Sequence, residues 1–498
     1  MAGLYDERDG VARFFNVIDG KQQPARSNEW LDSVDPATAK VWAQIPAGSA
    51  ADIDEAVDAA RRAFRGPWRK MPAMQRASLL RRVGELIAAH VVELAAIETR
   101  DNGKPFAETS TADVPAVTQM FHYWAGAADK LHGETVEISP ASLNYIRREP
   151  IGVIGIVIPW NSPISVFAAK VGAALAAGNT VVVKPAETAS CSVLAAARLF
   201  AEAGFPPGVV NVVAGLGTTA GDALSAHPGV GKITLTGSTA TARAITRRSA
   251  DAIKPLSFEL GGKSANIVFA DADLEAAATG VTTMAVFTAA AGQSCVAGSR
   301  ILVQRPIYEQ MIERIAKIAR GIKVGDPMDK ATGMGPIALD RQFQKVKDYI
   351  AIGHSEGGEL VFGGRSGPEL FDSGSRFAQG YFVEPTLFAG LGNQARICRE
   401  EIFGPVACIM PFADEDEALA IANDSPYGLV CGLWTNGLRR AHRMAAAIEA
   451  GAVWVNTYRK IHWALPFGGV KDSGYGRDSG LESLRGYQQT KAVWIDLA

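Results

Sequence analysis

From Ile151 to Glu259 the chain repeatedly alternates a short run of apolar, mostly β-branched residues with a stretch of helix formers. The order is IGVIGIVI, PISVFAAKVGAALAAG, TVVVK, a helical stretch to Gly204, VVNVVAG, a third helical stretch, KITLTGS and a fourth. No other feature narrows the fold so far. A strand that is apolar at every position, rather than every second one, must be covered on both faces. Strands separated by helices run parallel, so the stretch is read as βαβ units building a parallel sheet between two helical layers. After PLSFELGG a second alternation opens with SANIVFA and continues to about Val470, which makes a further α/β domain.

The flanks read differently. ADIDEAVDAARRAF has Asp52 as candidate N-cap, followed by Ile53, Ala56, Val57, Ala60 and Phe64 at helical spacing. A longer helix is expected from Gln75, with Leu79, Leu80, Val83, Leu86 and Ile87 on one side, stopped by DNGKP at Asp101 to Pro105. ETVEIS and LNYIRREP read as two short strands around Ser139 to Ser142, and YQQTKAVWIDL at the chain end as another. These pieces could pair with each other or form an assembly arm against another subunit; ordinary edge strands are the alternative.

With 498 residues, roughly three domain-sized units are expected. A net charge of −2 gives no reason to expect nucleic acid or an anionic membrane as partner. The opening MAGLYDERDG is acidic and lacks the apolar core of a secretory signal, and no later apolar run is long enough to span a bilayer. Five scattered cysteines without a CxxC pair and seven dispersed histidines point away from disulfides and metal centres. A cytoplasmic protein fits this usage.

Ligands of an open parallel sheet sit at the carboxyl ends of its strands. There the sequence has IPWNSP, KPAE, GLGTTAG and TGSTATARA, each leading into a helix whose free N–H groups favour phosphate. Gly215, Gly217 and Gly221 only approximate GxGxxG and suit a tight turn. Lys184 and Glu187 could donate to and accept from ribose hydroxyls, or form a solvated ion pair. In AGQSCVAGSR, Cys295 has glycines and small residues around it that allow a ligand close approach. Both a buried inert thiol and a nucleophile remain open. ELGGK adds the carboxylate of Glu259 beside two glycines, and a carboxylate with a thiol could divide acyl chemistry between base and nucleophile.

Taken together, IPWNSP, KPAE, TGST, ELGGK, GQSC, EEIFGPV and PFGGVKDSGYGR, in this order and spacing, resemble the aldehyde dehydrogenase superfamily along essentially the whole chain. The resemblance implies an α/β fold with a Rossmann-like NAD-binding domain over 1–131 and 151–262, a catalytic domain over 263–471, and a small β oligomerisation arm over 132–150 and 485–498. By matching motif, Cys295 is implied as nucleophile, Glu259 as general base and Asn161, with the Cys295 N–H, as oxyanion hole. Lys184 and Glu187 are implied at the adenosine ribose, and Gly237 and Ser238 at the pyrophosphate. Glu401 is implied at the nicotinamide ribose, with Phe403 and Trp160 completing the cofactor set. NAD is the implied cofactor, since Glu187 would repel a 2′-phosphate, although some relatives accept NADP as well.

Two departures from the family pattern stand out. Ala242 occupies a position usually held by glycine, and Ser162 follows IPWN where an aromatic is common. With Val166 and Ala169 also small, a roomy tunnel for bulky or aromatic aldehydes is expected, walled by Ile461, Trp463 and Phe467. The expected reaction is oxidation of an aldehyde to the acid by a homodimer or homotetramer. A CoA-acylating relative would have no use for Glu259 as a water-activating base, and a non-catalytic protein of the same fold could have lost Cys295 or Glu259.

Overall fold

The computed structural model describes residues 3–497; Met1, Ala2 and Ala498, at the outer ends of the expected cofactor domain and arm, lie outside the described residues. The larger sheet has at its centre five parallel strands, in the spatial order Leu256–Glu259, Lys232–Thr236, Val153–Ile158, Thr180–Pro185, Val210–Val212. All six residues of Thr180–Pro185 and all five of Lys232–Thr236 are buried, as their continuous apolar runs require. Each fully buried valine there contributes about 1.5–3 kcal/mol.

The chain lays down Val153–Ile158 first, steps outward to Val210–Val212, then returns to add Lys232–Thr236 and Leu256–Glu259 on the other side. The connections leaving Val153–Ile158 and Lys232–Thr236 therefore diverge, and a crevice opens between IPWN and TGS. Two edge additions were not expected from local patterning. Asn16–Ile18 pairs antiparallel with Val210–Val212, and Gly474–Tyr475 pairs antiparallel with Leu256–Glu259.

The second alternation forms a seven-stranded sheet ordered Glu359–Phe362, Thr386–Ala389, Val406–Phe412, Arg300–Gln304, Ala265–Val268, Val430–Trp434, Ala452–Val455. Only its first pair is antiparallel. A smaller sheet joins Glu134–Thr135, Ser142–Pro150 and Gln488–Asp496. The two longer strands pair antiparallel along their full lengths, from Gln488 opposite Pro150 to Asp496 opposite Ser142. Among the described residues no helix is long and apolar enough to cross a membrane.

Two helix expectations are corrected. The helix Ala50–Arg65 is capped by Ser49, and Asp52 sits one turn in, its carboxylate accepting from the Ser49 N–H at 2.8 Å. Serine and aspartate three residues apart both satisfy cap chemistry, and the reciprocal box decides between them. The long helix from Gln75 is two, Ala73–Ala89 and Val91–Asn102, because His90 leaves helical geometry at φ −108° and ψ 20°. The bend lets Leu80, Val83 and Ile87 share one core with Leu94 and Ile97. Gly103, at φ +83°, ends the second helix.

Candidate active site

Glu259 is the last residue of its strand, and the chain then turns through Gly261 and Gly262 against a carboxylate. A Cβ on Gly261 would lie 2.2 Å from both carboxylate oxygens of Glu401, and the Gly262 N–H donates to Glu401 Oε1 at 3.0 Å. A Cβ on Gly262 would lie 3.2 Å from the Cys295 carbonyl oxygen. The glycine pair is thus the close-packed junction of three motifs that are far apart in sequence.

Cys295 sits in an irregular turn. Ala291 and Gly292 both have positive φ, +49° and +68°, and a Cβ on Gly292 would come within 2.2 Å of the Gly404 carbonyl. Buried Gln293 anchors the turn, donating to the carbonyls of Ala290 (2.9 Å) and Pro336 (3.3 Å) and accepting from the Ala338 N–H at 2.8 Å. Asn161 reaches the same turn, its Nδ2 donating to the Gln293 carbonyl at 2.9 Å. The other four cysteines are buried, whereas Cys295 is half-buried. Among the described residues no carbonyl or side-chain acceptor takes the Cys295 backbone N–H.

Phe403 packs edge-on against Trp160 at 5.2 Å, which joins EIFGP to IPWN. Phe403 has φ +60°, uncommon for a large side chain. Its conformation is held from outside: Gln342 Nε2 donates to the carbonyls of Ile402 (2.7 Å) and Phe403 (2.9 Å), and Lys345 Nζ donates to that of Glu401 (2.8 Å).

Electrostatics separate the carboxylates. Burial pushes Glu259 up to about 8; Asp478 adds to the rise, and Lys170 and Arg477 oppose it. Among the described residues Glu259 Oε1 has no hydrogen-bond partner. Lys170 is buried and its Nζ donates to Asp478 Oδ2 (2.7 Å) and Thr234 Oγ1 (2.9 Å). Burial also raises the Cys295 thiol well above the ordinary value, with the charges of Glu259 and Glu401 adding to it; the Val296 N–H and Arg459 act the other way. The turn by itself therefore keeps sulfur protonated at neutral pH. Burial raises Glu401 too, against the Gly262 N–H.

Across the crevice, Lys184 Nζ donates to Glu187 Oε2 at 2.9 Å. Burial lowers the lysine, and Glu187, although burial pushes it up, ends below the carboxylate norm because of the Lys184 charge and hydrogen bond. Ser238 caps the helix Thr239–Ser249, its hydroxyl accepting from the Thr241 N–H at 3.1 Å. A Cβ on Gly237 would come 2.9 Å from the buried Leu235 side chain, so glycine lets the chain turn into this helix without displacing it. Nearby Thr236 Oγ1 is buried without a partner. Ala242 is buried in the core with Leu224, Val230 and Ile233, directed into the sheet packing.

The Aldehyde dehydrogenase family model matches residues 23–493. The chain belongs to the aldehyde dehydrogenase family. It is 43% identical over 502 residues to an aldehyde dehydrogenase of Alternaria alternata, covering 100% of this chain and 97% of that protein. The solved NAD+ complex of an aldehyde dehydrogenase from Bacillus cereus is similar with a TM-score of 0.95 and 41% identity, over 99% of this chain and 100% of that one. An indole-3-acetaldehyde dehydrogenase, AldA of P. syringae, solved as a mutant with NAD+ and IAA, is similar with a TM-score of 0.94 and 38% identity, over 99% of this chain and 97% of that one.

Within this aldehyde dehydrogenase fold the residues expected at the substrate wall differ in burial and contacts. Ser162 is half-buried, caps the helix Pro163–Ala176 by position, and its Oγ accepts from Lys104 Nζ at 3.3 Å. Val166 and Phe467 are half-buried and pack against core clusters. Ile461 is exposed, and Trp463 stacks on His462 with centroids 4.7 Å apart. Sequence reasoning missed Lys170, Asp478, Gln293, Gln342 and Lys345. One signal was available: Lys170 is the only charged residue in PISVFAAKVGAALA, and a lone charge in an apolar helix must find a buried partner.

Proposed function

We propose that the protein oxidises an aldehyde to its carboxylic acid with NAD+, through a covalent adduct on Cys295. The observation that carries this reading is the convergence of the half-buried thiol turn, the Glu259–Gly262 turn and the Asn161 amide on one another. Once its proton has left to solvent, the Cys295 sulfur attacks, forming the C–S bond and moving the carbonyl π pair onto oxygen. Asn161 Nδ2 and the uncommitted Cys295 N–H would stabilise that oxygen, and loss of one such donor typically raises the barrier by about 3 kcal/mol. The residues fit NAD+: an ion-paired lysine and glutamate at one strand end, an open helix start at Gly237 and Ser238, and a carboxylate, Glu401, beside the thiol turn. When bound, NAD+ would supply the acceptor for the hydrogen that leaves the adduct with its electron pair, and a positive charge favouring the thiolate. The thioester left on Cys295 is hydrolysed by water that Glu259 deprotonates.

Lys184, Glu187 and, near the nicotinamide, Trp160 and Phe403 complete the cofactor contacts in this reading, and the Glu187 carboxylate favours NAD+ over NADP+. The small side chains of Ser162, Val166 and Ala169 support a bulky or aromatic aldehyde, as does the likeness to an indole-3-acetaldehyde dehydrogenase. The three-stranded arm leaves Leu143, Trp494 and Ile495 exposed, which supports burial against another copy in a homo-oligomer. The test is NADH formation over chemically diverse aldehydes with Cys295→Ala as control, where turnover is expected to fall roughly a thousandfold or more. Activity persisting in that variant would remove Cys295 as nucleophile. Acetaldehyde outperforming every aromatic and long-chain aldehyde would remove the substrate reading.

A further inference from the structure

Four contacts link the Cys295 turn, through neighbouring residues, to Arg459, Glu108 and Lys104. Asn161 Nδ2 bonds the Gln293 carbonyl at 2.9 Å, and just after Cys295 in the chain Tyr458 Oη bonds the Val296 carbonyl at 2.9 Å. Arg459, next in the chain, reaches Glu108 at 3.2 Å. Four residues before Glu108, Lys104 reaches Ser162, which adjoins Asn161. Through Tyr458, Arg459 is tied by one residue to the turn that carries the sulfur.

The charges of Lys104 and Arg459 are not equivalent. Lys104 is 3% exposed and held by Asp113 at 2.5 Å, so its charge is neutralised inside the protein. The Arg459 side chain is 29% exposed. Of its five N–H donors, one, on Nη2, is taken by Glu108 Oε1. The backbone around it leaves little freedom. Tyr458 is pinned to the thiol turn, the Lys460 carbonyl accepts from Trp454 Nε1 at 3.0 Å, and Arg459 between them has φ +56°. A non-glycine residue in that region persists only where its surroundings enforce it.

We infer that Arg459 is a specificity-determining residue that binds a carboxylate on the aldehyde, distal to the reacting carbonyl, with Glu108 as the internal anion that occupies part of the fork until such a substrate arrives. An arginine fork binds a carboxylate through two parallel hydrogen bonds, which one monodentate contact to Glu108 leaves unused. The field of Arg459 also reaches the sulfur: burial raises the Cys295 thiol, and Arg459 counteracts it. This inference rests on the aldehyde-oxidising reading above and narrows its substrate class to acidic aldehydes.

The experiment compares kcat/KM for 4-formylbenzoate with that for 4-methylbenzaldehyde, which differ in charge and little in shape, using NADH formation in the wild type, Arg459→Met, Arg459→Lys and Glu108→Gln. The ratio of acidic to neutral substrate is expected to exceed one in the wild type and to fall about tenfold or more in Arg459→Met. Arg459→Lys should recover part of it, and Glu108→Gln should raise it by freeing the fork. If the ion pair only held the two loops together, breaking it from either side would move the ratio the same way or not at all, and either result overturns the inference. Turnover of both substrates at a ratio unaffected by any variant would leave the oxidation reading intact and remove this one. No NADH from any aldehyde in a broad panel would remove both.

Discussion

Glu187 and Glu259 both lie at the carboxyl end of a strand in the same parallel sheet, yet they have opposite chemistry. Glu187, two residues beyond Thr180–Pro185, meets Lys184 at 2.9 Å and is held below the usual carboxylate range despite burial. Glu259, ending Leu256–Glu259, is desolvated without a cation in direct contact, carries an unpartnered Oε1 and is pushed up to about 8. A carboxylate that stays ionised suits hydrogen bonding to a ligand hydroxyl. One whose proton leaves near neutral pH suits taking a proton from water. The strand end supplies the position in both cases, and the nearest cation decides which carboxylate stays ionised.

The largest expected break in this contrast is Glu259→Gln. Removing the proposed base should lower steady-state turnover by about a hundredfold to a thousandfold while the first turnover still releases NADH, so stopped-flow traces should keep a burst and lose the steady phase. The same change removes an anion that raises the Cys295 thiol, and alkylation of Cys295 by iodoacetamide at fixed pH should become faster. Loss of the burst together with the steady phase would place Glu259 before acyl-enzyme formation.

A smaller effect is expected at the paired carboxylate. Glu187→Gln keeps the shape and removes the charge that would oppose a 2′-phosphate, so the ratio of kcat/KM for NADP+ over NAD+ should rise about tenfold. An unmoved ratio would show that Glu187 does not face the ribose.

The smallest effects sharpen the contrast by tuning Glu259 from a distance. Asp478 raises its carboxyl and Lys170 lowers it. Thioester hydrolysis should increase with pH as Glu259 ionises. Asp478→Asn should therefore move that rise to lower pH, and Lys170→Met to higher pH, read from the pH profile of the steady phase. Shifts of the same sign would mean that both variants act through packing.

Much of the fold was legible because its signals are local. The apolar runs TVVVK and KITLT announce strands covered on two faces, and every residue of both is buried. Capping was legible only to within a turn, since Ser49 and Asp52 each have the chemistry. The break at His90 was not legible, because it answers to packing against Leu94 and Ile97 rather than to a proline or glycine. In the candidate site, motif resemblance pointed to Cys295, Glu259 and Asn161, but not to the groups that set their electrostatics. Lys170 and Asp478 are 308 positions apart, and Glu108 and Arg459 are 351 apart.

By itself, the amino-acid sequence determined that a parallel α/β sheet would form and which residue types would stand at its strand ends, because periodicity and turn chemistry act over a few neighbours. Only the tertiary structure decided which carboxylate meets a cation, which cysteine keeps partial access to solvent, and which arginine's charge is felt at the thiol. Desolvation and Coulomb fields depend on distance through space, and the chain brings those groups together only when the sheets, the Gly261–Gly262 junction and the loop after Tyr458 have packed.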